Sequence, residues 1–303
     1  MLNFLTKNFW VTFVIGIILG VFFEFSKKFL PYILYMLIFI LFLSCLQIDF
    51  KNLFRRIKRY KLIVWLVVWI LVLLPILLYL LFKLFLDLNS STAILILLVM
   101  PVGMTIPFYA SLFKGDRELA LVLTVITSLL CPFTIPFLIK LFLGTNFSVN
   151  ILDMLIMLCL VIFIPFLFSF FIRRFALEAI EKTKKYYSSL SLFVSIFLMA
   201  GAIAKIDFLD IINGNNLIYP FIMLLVLAFV LHLIGFFIIG GSLRTRITSS
   251  LAVAYMNSTL AIVFAAKFFS PEIFVIVTLY QIPVNIALMI FGIIFRKINS
   301  NFH

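Results

Sequence analysis

The chain has 303 residues, of which 66% are hydrophobic and 12% are charged, and its mean hydropathy is +1.31. A water-soluble domain of this size needs a polar surface that so few polar residues cannot provide. The composition therefore excludes a soluble globular protein and indicates an integral membrane protein. The formal net charge of +13 must then be explained by the segments that lie outside the membrane.

Ten hydrophobic runs follow one another along the chain, each roughly as long as a helix needs to be to cross a bilayer. Because lipid offers no hydrogen-bond partners to the backbone, we expect every run to be an α-helix. The runs are apolar on every side, which excludes the alternating strands of a membrane β-barrel. The first run lacks a small-residue cleavage site and is predicted to be a mature helix. The ten predicted spans cover residues 8–25, 30–48, 62–82, 91–113, 118–143, 151–172, 187–206, 217–240, 248–269 and 272–295.

Basic residues are distributed unevenly between the two ends of the predicted spans. Of the 24 lysines and arginines, 18 fall in gaps on one side and six on the other. By the positive-inside rule, this predicts a plasma (inner) membrane protein with ten crossings and both termini in the cytoplasm. The same bias explains the net charge without a nucleic-acid partner, and the lipid bilayer is the expected environment. The largest basic clusters are Lys51, Arg55, Arg56, Lys58, Arg59 and Lys61 in one gap and Arg173, Arg174, Lys182, Lys184 and Lys185 in another.

The spans carry few residues capable of acid–base or nucleophilic chemistry. None of the eleven carboxylates lies at mid-span, and Cys45, Cys131 and Cys159 have no disulfide or metal-ligand spacing and are interpreted as core residues. His232 has a pKa range suited to proton exchange, but a packed histidine bonded to a carbonyl or hydroxyl group is the favoured interpretation. The sequence thus predicts no enzyme, no cofactor and no metal centre built from His, Cys or carboxylate ligands.

The ten spans divide near Asn146 into two halves of five, residues 1–146 and 147–303. An odd number of spans in each half forces the second half to enter the membrane inverted relative to the first, as in many secondary transporters. In each half, the fourth span is the one most interrupted by polar or helix-breaking residues. The sequence therefore predicts two inverted five-helix repeats with a binding site near the midplane where they meet.

The interrupted spans predict two helix breaks. Span 4 contains P-V-G-M-T-I-P (Pro101 to Pro107), in which each proline removes a backbone donor and Gly103 weakens the helix between them. The freed carbonyl groups need partners from protein, ions or water, because lipid supplies none. A kinked packing helix is the alternative interpretation. In span 9, the stretch A-Y-M-N-S-T places three consecutive polar side chains at membrane depth. They are Asn257, Ser258 and Thr259.

Three stretches of the chain resemble the bile acid:sodium symporter family. The first is S-L-F-K-G-D-R-E-L-A-L (Ser111 to Leu121), followed by T-V-I-T-S-L-L-C-P-F-T-I-P-F from Thr124. The second is Y-M-N-S-T-L-A-I-V-F-A-A-K-F-F-S-P, from Tyr255. The third is T-L-Y-Q-I-P-V-N, which ends at Asn285. The resemblance runs through both halves of the chain, and the arsenite-efflux permeases look like a more distant relative of the same design.

The resemblance implies a core domain from spans 3–5 and 8–10 and a panel domain from spans 1, 2, 6 and 7. Spans 4 and 9 would be broken where they cross, and a small organic anion would bind between core and panel and be transported by alternating access. The half-helix N-termini at the crossing would offer partial positive charge to the anion. The substrate-binding residues would be Thr105, Asn257, Ser258, Thr259, Gln281 and Asn285.

The chain departs from the family at the residues that bind sodium. Sodium-coupled members carry a Ser-Asn pair, a Glu and two Gln residues at positions that here read Ile106, Pro107, Ala252, Met256 and Ile70. A sodium ion without a nearby carboxylate must rely on neutral oxygens, which offset its desolvation poorly. We therefore expect weak or absent sodium symport, with at most one low-affinity ion site. Its residues would be Thr124, Thr127 and Ser128.

Two other functions remain alternatives to organic-anion transport. A membrane-embedded binding or sensor protein would use the same crossed helices without moving its ligand across the membrane. An arsenite-type efflux permease would use the same architecture for a different solute. At the level of sequence, the substrate, the coupling ion, the direction of transport and the oligomeric state stay open.

Overall fold

The computed structural model describes residues 10–48, 60–144, 150–204 and 218–301. Within these ranges the chain is built of helices and contains no strand. The helices are α1 (Trp10–Phe22), α2 (Ile33–Cys45), α3 (Tyr60–Phe82), α4a (Leu88–Leu98), α4b (Ile106–Leu112), α5 (Arg117–Leu143), α6 (Ile151–Phe175), α7 (Leu177–Ile203), α8 (Ile218–Phe237), α9a (Leu243–Ala254), α9b (Ser258–Phe268), α10a (Pro271–Leu279) and α10b (Gln281–Asn301).

Seven of the described helices are long and apolar enough to cross a membrane by length and composition. This confirms an all-helical membrane architecture. Three of the ten predicted spans fall short: α1 has 13 described residues, and the helices at spans 4 and 9 are each in two pieces. The seven are Glu24–Cys45, in which the 3₁₀ helix Glu24–Tyr32 leads into α2, Tyr60–Phe82, Arg117–Leu143, Ile151–Phe175, Leu177–Ile203, Ile218–Phe237, and Pro271–Ile298, which joins α10a to most of α10b.

The predicted gap between spans 6 and 7 is almost entirely helical. Only Ala176 separates the end of α6 from the start of α7, which begins ten residues before the predicted span. The two predicted spans are both present as helices. Hydropathy indicates membrane depth, whereas a helix can continue beyond the apolar run on charged side chains. Of the basic cluster predicted between spans 2 and 3, Lys51 to Arg59 lie outside the described residues, and Lys61 lies in the first turn of α3.

Helices α1, α2, α6 and α7 pack together as one group. Gly16 and Gly20 of α1 lie directly on α7: a Cβ at Gly16 would be 2.7 Å from the Met199 Cβ, and one at Gly20 would be 2.8 Å from the Ala200 carbonyl oxygen. Small residues allow this close approach of two membrane helices. At one end of the group, the Arg173 guanidinium donates to the Leu46 carbonyl and pairs with the Glu181 carboxylate at 3.7 Å.

The remaining helices form a second group. In it, α8 packs on α9a and α10b, α4a packs on α3 and α10a, and α4b packs on α5 and α9a. The two groups meet where α5 packs on α6, where α9b packs on α2 and α7, and where α10b packs on α1. Most of the fully buried side chains lie in this second group.

Two prolines distort helices that were predicted to be regular. In α3, residues Trp69–Leu73 form a π-helical turn that precedes Pro75, and the Leu74 N–H bonds the Trp69 carbonyl. Span 10 is interrupted at Tyr280, three residues before Pro283, whose missing N–H leaves the turn without one of its bonds. The predicted span over 272–295 lies within Pro271–Ile298, which is long and apolar enough to cross a membrane, and the interruption is limited to Tyr280.

Candidate functional site

The two helix interruptions lie side by side in the middle of the second helix group. Residues 99–105 separate α4a from α4b, and residues 255–257 separate α9a from α9b. We call these the first break and the second break. Val102 of the first break and Met256 of the second pair as an isolated antiparallel bridge.

Two backbone hydrogen bonds hold the breaks together. The Gly103 N–H donates to the Tyr255 carbonyl at 2.9 Å, and the Asn257 N–H donates to the Pro101 carbonyl at 2.8 Å. Backbone groups that leave a helix at membrane depth need such partners, because the hydrocarbon supplies none. Each break thus completes the hydrogen bonding of the other.

Close packing explains the residue types in the first break. A Cβ at Gly103 would lie 2.9 Å from the Tyr255 carbonyl oxygen and 3.2 Å from that of Met256, so a larger residue would push the two breaks apart. Pro101 has no N–H to satisfy, and its carbonyl accepts from the second break. Pro107 lies in the first turn of α4b, where a missing N–H costs the helix nothing.

Two hydroxyl groups of α5 face the first break. The Thr127 hydroxyl accepts from the Val102 N–H at 3.1 Å and donates to the Leu123 carbonyl at 2.7 Å. The Thr124 hydroxyl donates to the Ala120 carbonyl at 2.9 Å and lies 3.4 Å from the Gly103 carbonyl oxygen. Both threonines, predicted as ion ligands, therefore make direct hydrogen bonds within the protein. The third predicted ligand, Ser128, is buried, and its hydroxyl has no partner among the described residues.

The polar residues of the second break begin α9b. Asn257 is only 8% exposed and is the N-cap of this helix, since its Oδ1 accepts from the Leu260 N–H at 3.1 Å. Ser258 is also buried, and Thr259 is half-buried. Thr105 of the first break, in contrast, is exposed on the surface of the second helix group. The predicted substrate residues of spans 4 and 9 thus lie around one crossing.

The two predicted residues of span 10 lie behind the second break. The Asn285 side chain donates to the Gln281 carbonyl at 2.6 Å, and the Tyr255 hydroxyl donates to the Asn285 Oδ1 at 3.4 Å. Gln281 is 3% exposed, yet neither atom of its side-chain amide has a hydrogen-bond partner among the described residues. The Tyr280 hydroxyl donates to the Ala254 carbonyl at 3.3 Å, which joins the interruption of span 10 to the second break.

The sequence did not single out the tyrosines of this region. Tyr109, Tyr255 and Tyr280 are all buried, and the rings of Tyr109 and Tyr255 lie 5.5 Å apart. A tyrosine at membrane depth needs a partner for its hydroxyl group. Tyrosines inside the predicted spans could therefore have been identified from the sequence as candidates for polar contacts. Their contacts tie α4b, α10a and the second break together.

A narrow cavity separates the first break from the other helix group. Its volume is about 10 Å³, which is room for roughly one water molecule, so the two groups are closely packed in this conformation. Ser128 and Met104 border it from the second group, and Cys45 and Ile162 border it from the first. Its lining is otherwise apolar and is completed by Leu41, Ile48, Val125, Leu129 and Phe166.

The crossing is electrically neutral apart from the dipoles of its helices. Among the described residues, none that is buried carries a charge, and no cluster of three or more His, Cys, Asp and Glu is placed to hold a metal. His232 contacts α9a and α10b, with its Nδ1 3.1 Å from the Ser250 hydroxyl and its ring stacked on Phe291. These contacts agree with the interpretation of a packed histidine.

Comparison with known proteins identifies one family. The model of the Sodium Bile acid symporter family matches residues 34–211, which is more than half of the chain. The match begins in α2 and includes the first break and the hydroxyl residues of α5, but it ends before the second break. None of the curated proteins matches the chain significantly. The resemblance drawn from the three motifs is confirmed.

Proposed function

The chain belongs to the sodium bile acid symporter family, and from this premise we propose that it carries a small organic anion across the membrane by alternating access. The family is one of membrane transporters, so a multi-pass protein that moves a small solute is the starting point. The anionic substrate, the architecture in two inverted repeats and the weak ion coupling are the parts that we add.

One observation carries this proposal: two broken helices lie side by side and complete each other's backbone hydrogen bonds, and no charged residue among those described is buried at their crossing. Broken helices of this kind form the substrate sites of secondary transporters. At the crossing, α9b begins at membrane depth and directs the positive end of its dipole toward the site. No buried carboxylate is present among the described residues to oppose an anion. A carboxylate group suits this environment.

The packing of the helices supports two inverted repeats, in which α1–α5 correspond to α6–α10. The contact of α2 with α6 corresponds to that of α7 with α1, and the contact of α5 with α6 to that of α10b with α1. Within the second group, α4b packs on α5 as α9b packs on α10a. These paired contacts are what a two-fold axis in the membrane plane would produce.

The division into two helix groups supports a panel of α1, α2, α6 and α7 beside a core of the other helices. We place the substrate between them, against Thr105 and Asn257. The narrow cavity lies along this boundary, next to the first break. Relative movement of the two groups would widen it on one side of the membrane at a time. Both termini are placed in the cytoplasm on the basis of the lysine and arginine distribution.

Weak or absent sodium coupling is supported by the bonding of α5. The hydroxyls of Thr124 and Thr127 already bond to neighbouring carbonyl groups, and Thr127 also holds the Val102 N–H. A sodium ion at the first break would have to compete with these bonds, and none of the described carboxylates is buried there to bind it. The first break is therefore held in place by the protein itself.

Counterflow in proteoliposomes tests the proposed function. Purified protein is reconstituted and loaded with one of a panel of carboxylate-bearing organic anions, and entry of the labelled anion is followed with and without sodium. Saturable counterflow of one anion is expected, with protein-free vesicles as the control. Ligand-dependent thermal stabilisation without any counterflow would establish the binding or sensor protein instead. Counterflow of arsenite alone would establish the arsenite-type permease.

A further inference from the structure

The two breaks are related residue by residue. Val102 and Met256 pair with each other and lie 154 positions apart in the chain. Adding the same 154 positions takes Gly103 to Asn257 and Pro101 to Tyr255. Each of the two backbone hydrogen bonds at the crossing is therefore the counterpart of the other. The pseudo-two-fold axis of the molecule therefore passes between Val102 and Met256.

Helices α5 and α10a follow the same relation. The residue preceding each helix, Asp116 and Ser270, differs by the same 154 positions. Thr124 donates to the carbonyl four residues earlier, and Thr278, its counterpart, makes the same bond to Phe274 at 2.9 Å. The register of α5 and α10a therefore agrees through Thr124 and Thr278, and the same shift takes Thr127 to Gln281, the first residue of α10b.

The two corresponding residues differ in their bonding. Thr127 holds the Val102 N–H at 3.1 Å, so the first break is clamped to α5. Gln281 is 3% exposed, and its Oε1 and Nε2 have no partner among the described residues. Leaving a buried amide unpaired is costly, and nearly all buried polar groups in native structures find a partner. The conformation described here therefore stabilises the clamp of one repeat and leaves that of the other unmade.

We propose that Gln281 is a positioning residue that clamps the second break in the opposite-facing conformation, by accepting a hydrogen bond from the Met256 N–H. This inference rests on the proposed function. A two-fold axis in the membrane plane exchanges the two faces of the membrane, so exchanging the conformations of the two repeats converts one facing state into the other. In that exchange the Thr127 clamp opens and the Gln281 clamp closes. Gln281, predicted from sequence to contact substrate, instead acts through the backbone of the second break.

The conformational equilibrium provides the test, because the two clamps stabilise opposite states. Gln281→Leu removes a bond that only the opposite state makes, and Thr127→Val removes one that only the described state makes. Relative to the parent protein, the two variants should shift the equilibrium in opposite directions, each by roughly 3- to 10-fold, as expected for one buried hydrogen bond. A purely structural role for either residue would not produce shifts of opposite sign.

Cys45 is a native reporter of this equilibrium. It borders the cavity between the two helix groups and is only 3% exposed in this conformation. In a Cys131→Ala/Cys159→Ala background, its alkylation rate by a small maleimide should change in opposite directions in the two variants. Gln281→Thr, which introduces the residue type found at position 127, should restore the parental rate. Ile282→Leu is the matched control, because it is a conservative change at the neighbouring residue, whose side chain is exposed.

Thermal stability separates a shifted equilibrium from misfolding. Because Gln281 has no partner in the described state, Gln281→Leu should leave the melting temperature unchanged or raised, whereas Thr127→Val should lower it. Changes of Cys45 reactivity with the same sign, or a rate for Gln281→Leu within error of the parent, would overturn the inference. Labelling requires no substrate, so absence of counterflow in the parent protein would overturn the proposed transport and leave this result standing.

Discussion

At the scale of single residues, Asn257 has two roles that must be separated. Its Oδ1 caps α9b, and its amide lies at the crossing where substrate is placed. Asn257→Ala should reduce substrate affinity by roughly 5- to 150-fold and cost about 1 kcal/mol of stability through the lost cap. Asn257→Ser keeps a capping oxygen and should lose affinity at near-parental stability. Titration calorimetry and thermal melts of both variants measure the two effects, and unchanged affinity in both would leave Asn257 with the cap alone.

Gly103 sets the distance between the two breaks. A methyl group there would press on the Tyr255 carbonyl, so Gly103→Ala should destabilise the protein by about 1–3 kcal/mol. Gly240→Ala is the matched control, since nothing lies within 4 Å of a Cβ added there. Denaturation in detergent should show a lower midpoint for Gly103→Ala only. Equal midpoints would mean that the breaks separate without cost.

At the scale of helices, the sequence predicted the positions of the two helix breaks, but it did not distinguish the prolines that accompany an interruption from those that a helix accommodates. Pro132 and Pro136 lie inside α5 and Pro165 lies inside α6, and both helices continue through them. Pro283, by contrast, follows an interruption. Whether a helix continues through a proline depends on which groups bond to the freed carbonyls. It also depends on side chains such as Tyr280, whose hydroxyl donates to the Ala254 carbonyl, 26 residues away in the chain. Such partners are set by tertiary packing and leave no local pattern in the sequence.

The residues of the crossing show the same limit of prediction from sequence. Prolines and a glycine indicated the first break, and consecutive polar residues indicated the second. Their pairing through Val102 and Met256 joins positions far apart in the chain, and hydropathy carries no information about it. The bonding of Thr127 to the Val102 N–H was equally beyond the sequence, which predicted an ion ligand from the residue type.

The bonding between α5 and the first break predicts how transport depends on sodium. Because Thr124 and Thr127 are bonded within the protein and none of the described carboxylates is buried, uptake should change little across a sodium titration at constant ionic strength. Any residual dependence should be of low affinity and first order. A steep, saturable response with a Hill coefficient near two would contradict this account and restore a pair of ion sites. Potassium in place of sodium is the control.

At the scale of the whole molecule, the proposed two-fold axis would relate the breaks, the helix starts and the packing partners. A single shift of 154 residues relates the bridge at the crossing to the starts of α5 and α10a. The symmetry is incomplete in side-chain chemistry, as Thr127 and Gln281 show. If the two repeats were identical, the two facing states would have the same internal energy. Different residues at the two clamp positions would allow the sequence to set the ratio of the populations of these states. The relation between α5 and α10a is therefore where tuning of the transport cycle is expected.

The exposed lysines at the two ends of the molecule predict its orientation in the membrane. At one end, the Ser188 hydroxyl of α7 bonds the Gln47 side chain at 3.3 Å, and Lys184 is exposed nearby. At the other, the Tyr219 hydroxyl donates to the Phe85 carbonyl at 3.0 Å, close to the exposed Lys83. Because basic residues concentrate on the cytoplasmic side, the first end should face the cytoplasm and the second the exterior.

Cysteine labelling of intact cells tests this orientation in a variant without native cysteines. Lys83→Cys should react with a membrane-impermeant maleimide, and Lys184→Cys should react only after the cells are opened, with the unsubstituted parent as the blank. Arg174→Cys, at the end of α6, should behave like Lys184→Cys, since α6 and α7 are joined through Ala176 at that end. Labelling of Lys83→Cys and Lys184→Cys from the same face would contradict the odd number of crossings between them. The two five-helix repeats would then lose their inverted relation, and with it the exchange of clamps between Thr127 and Gln281.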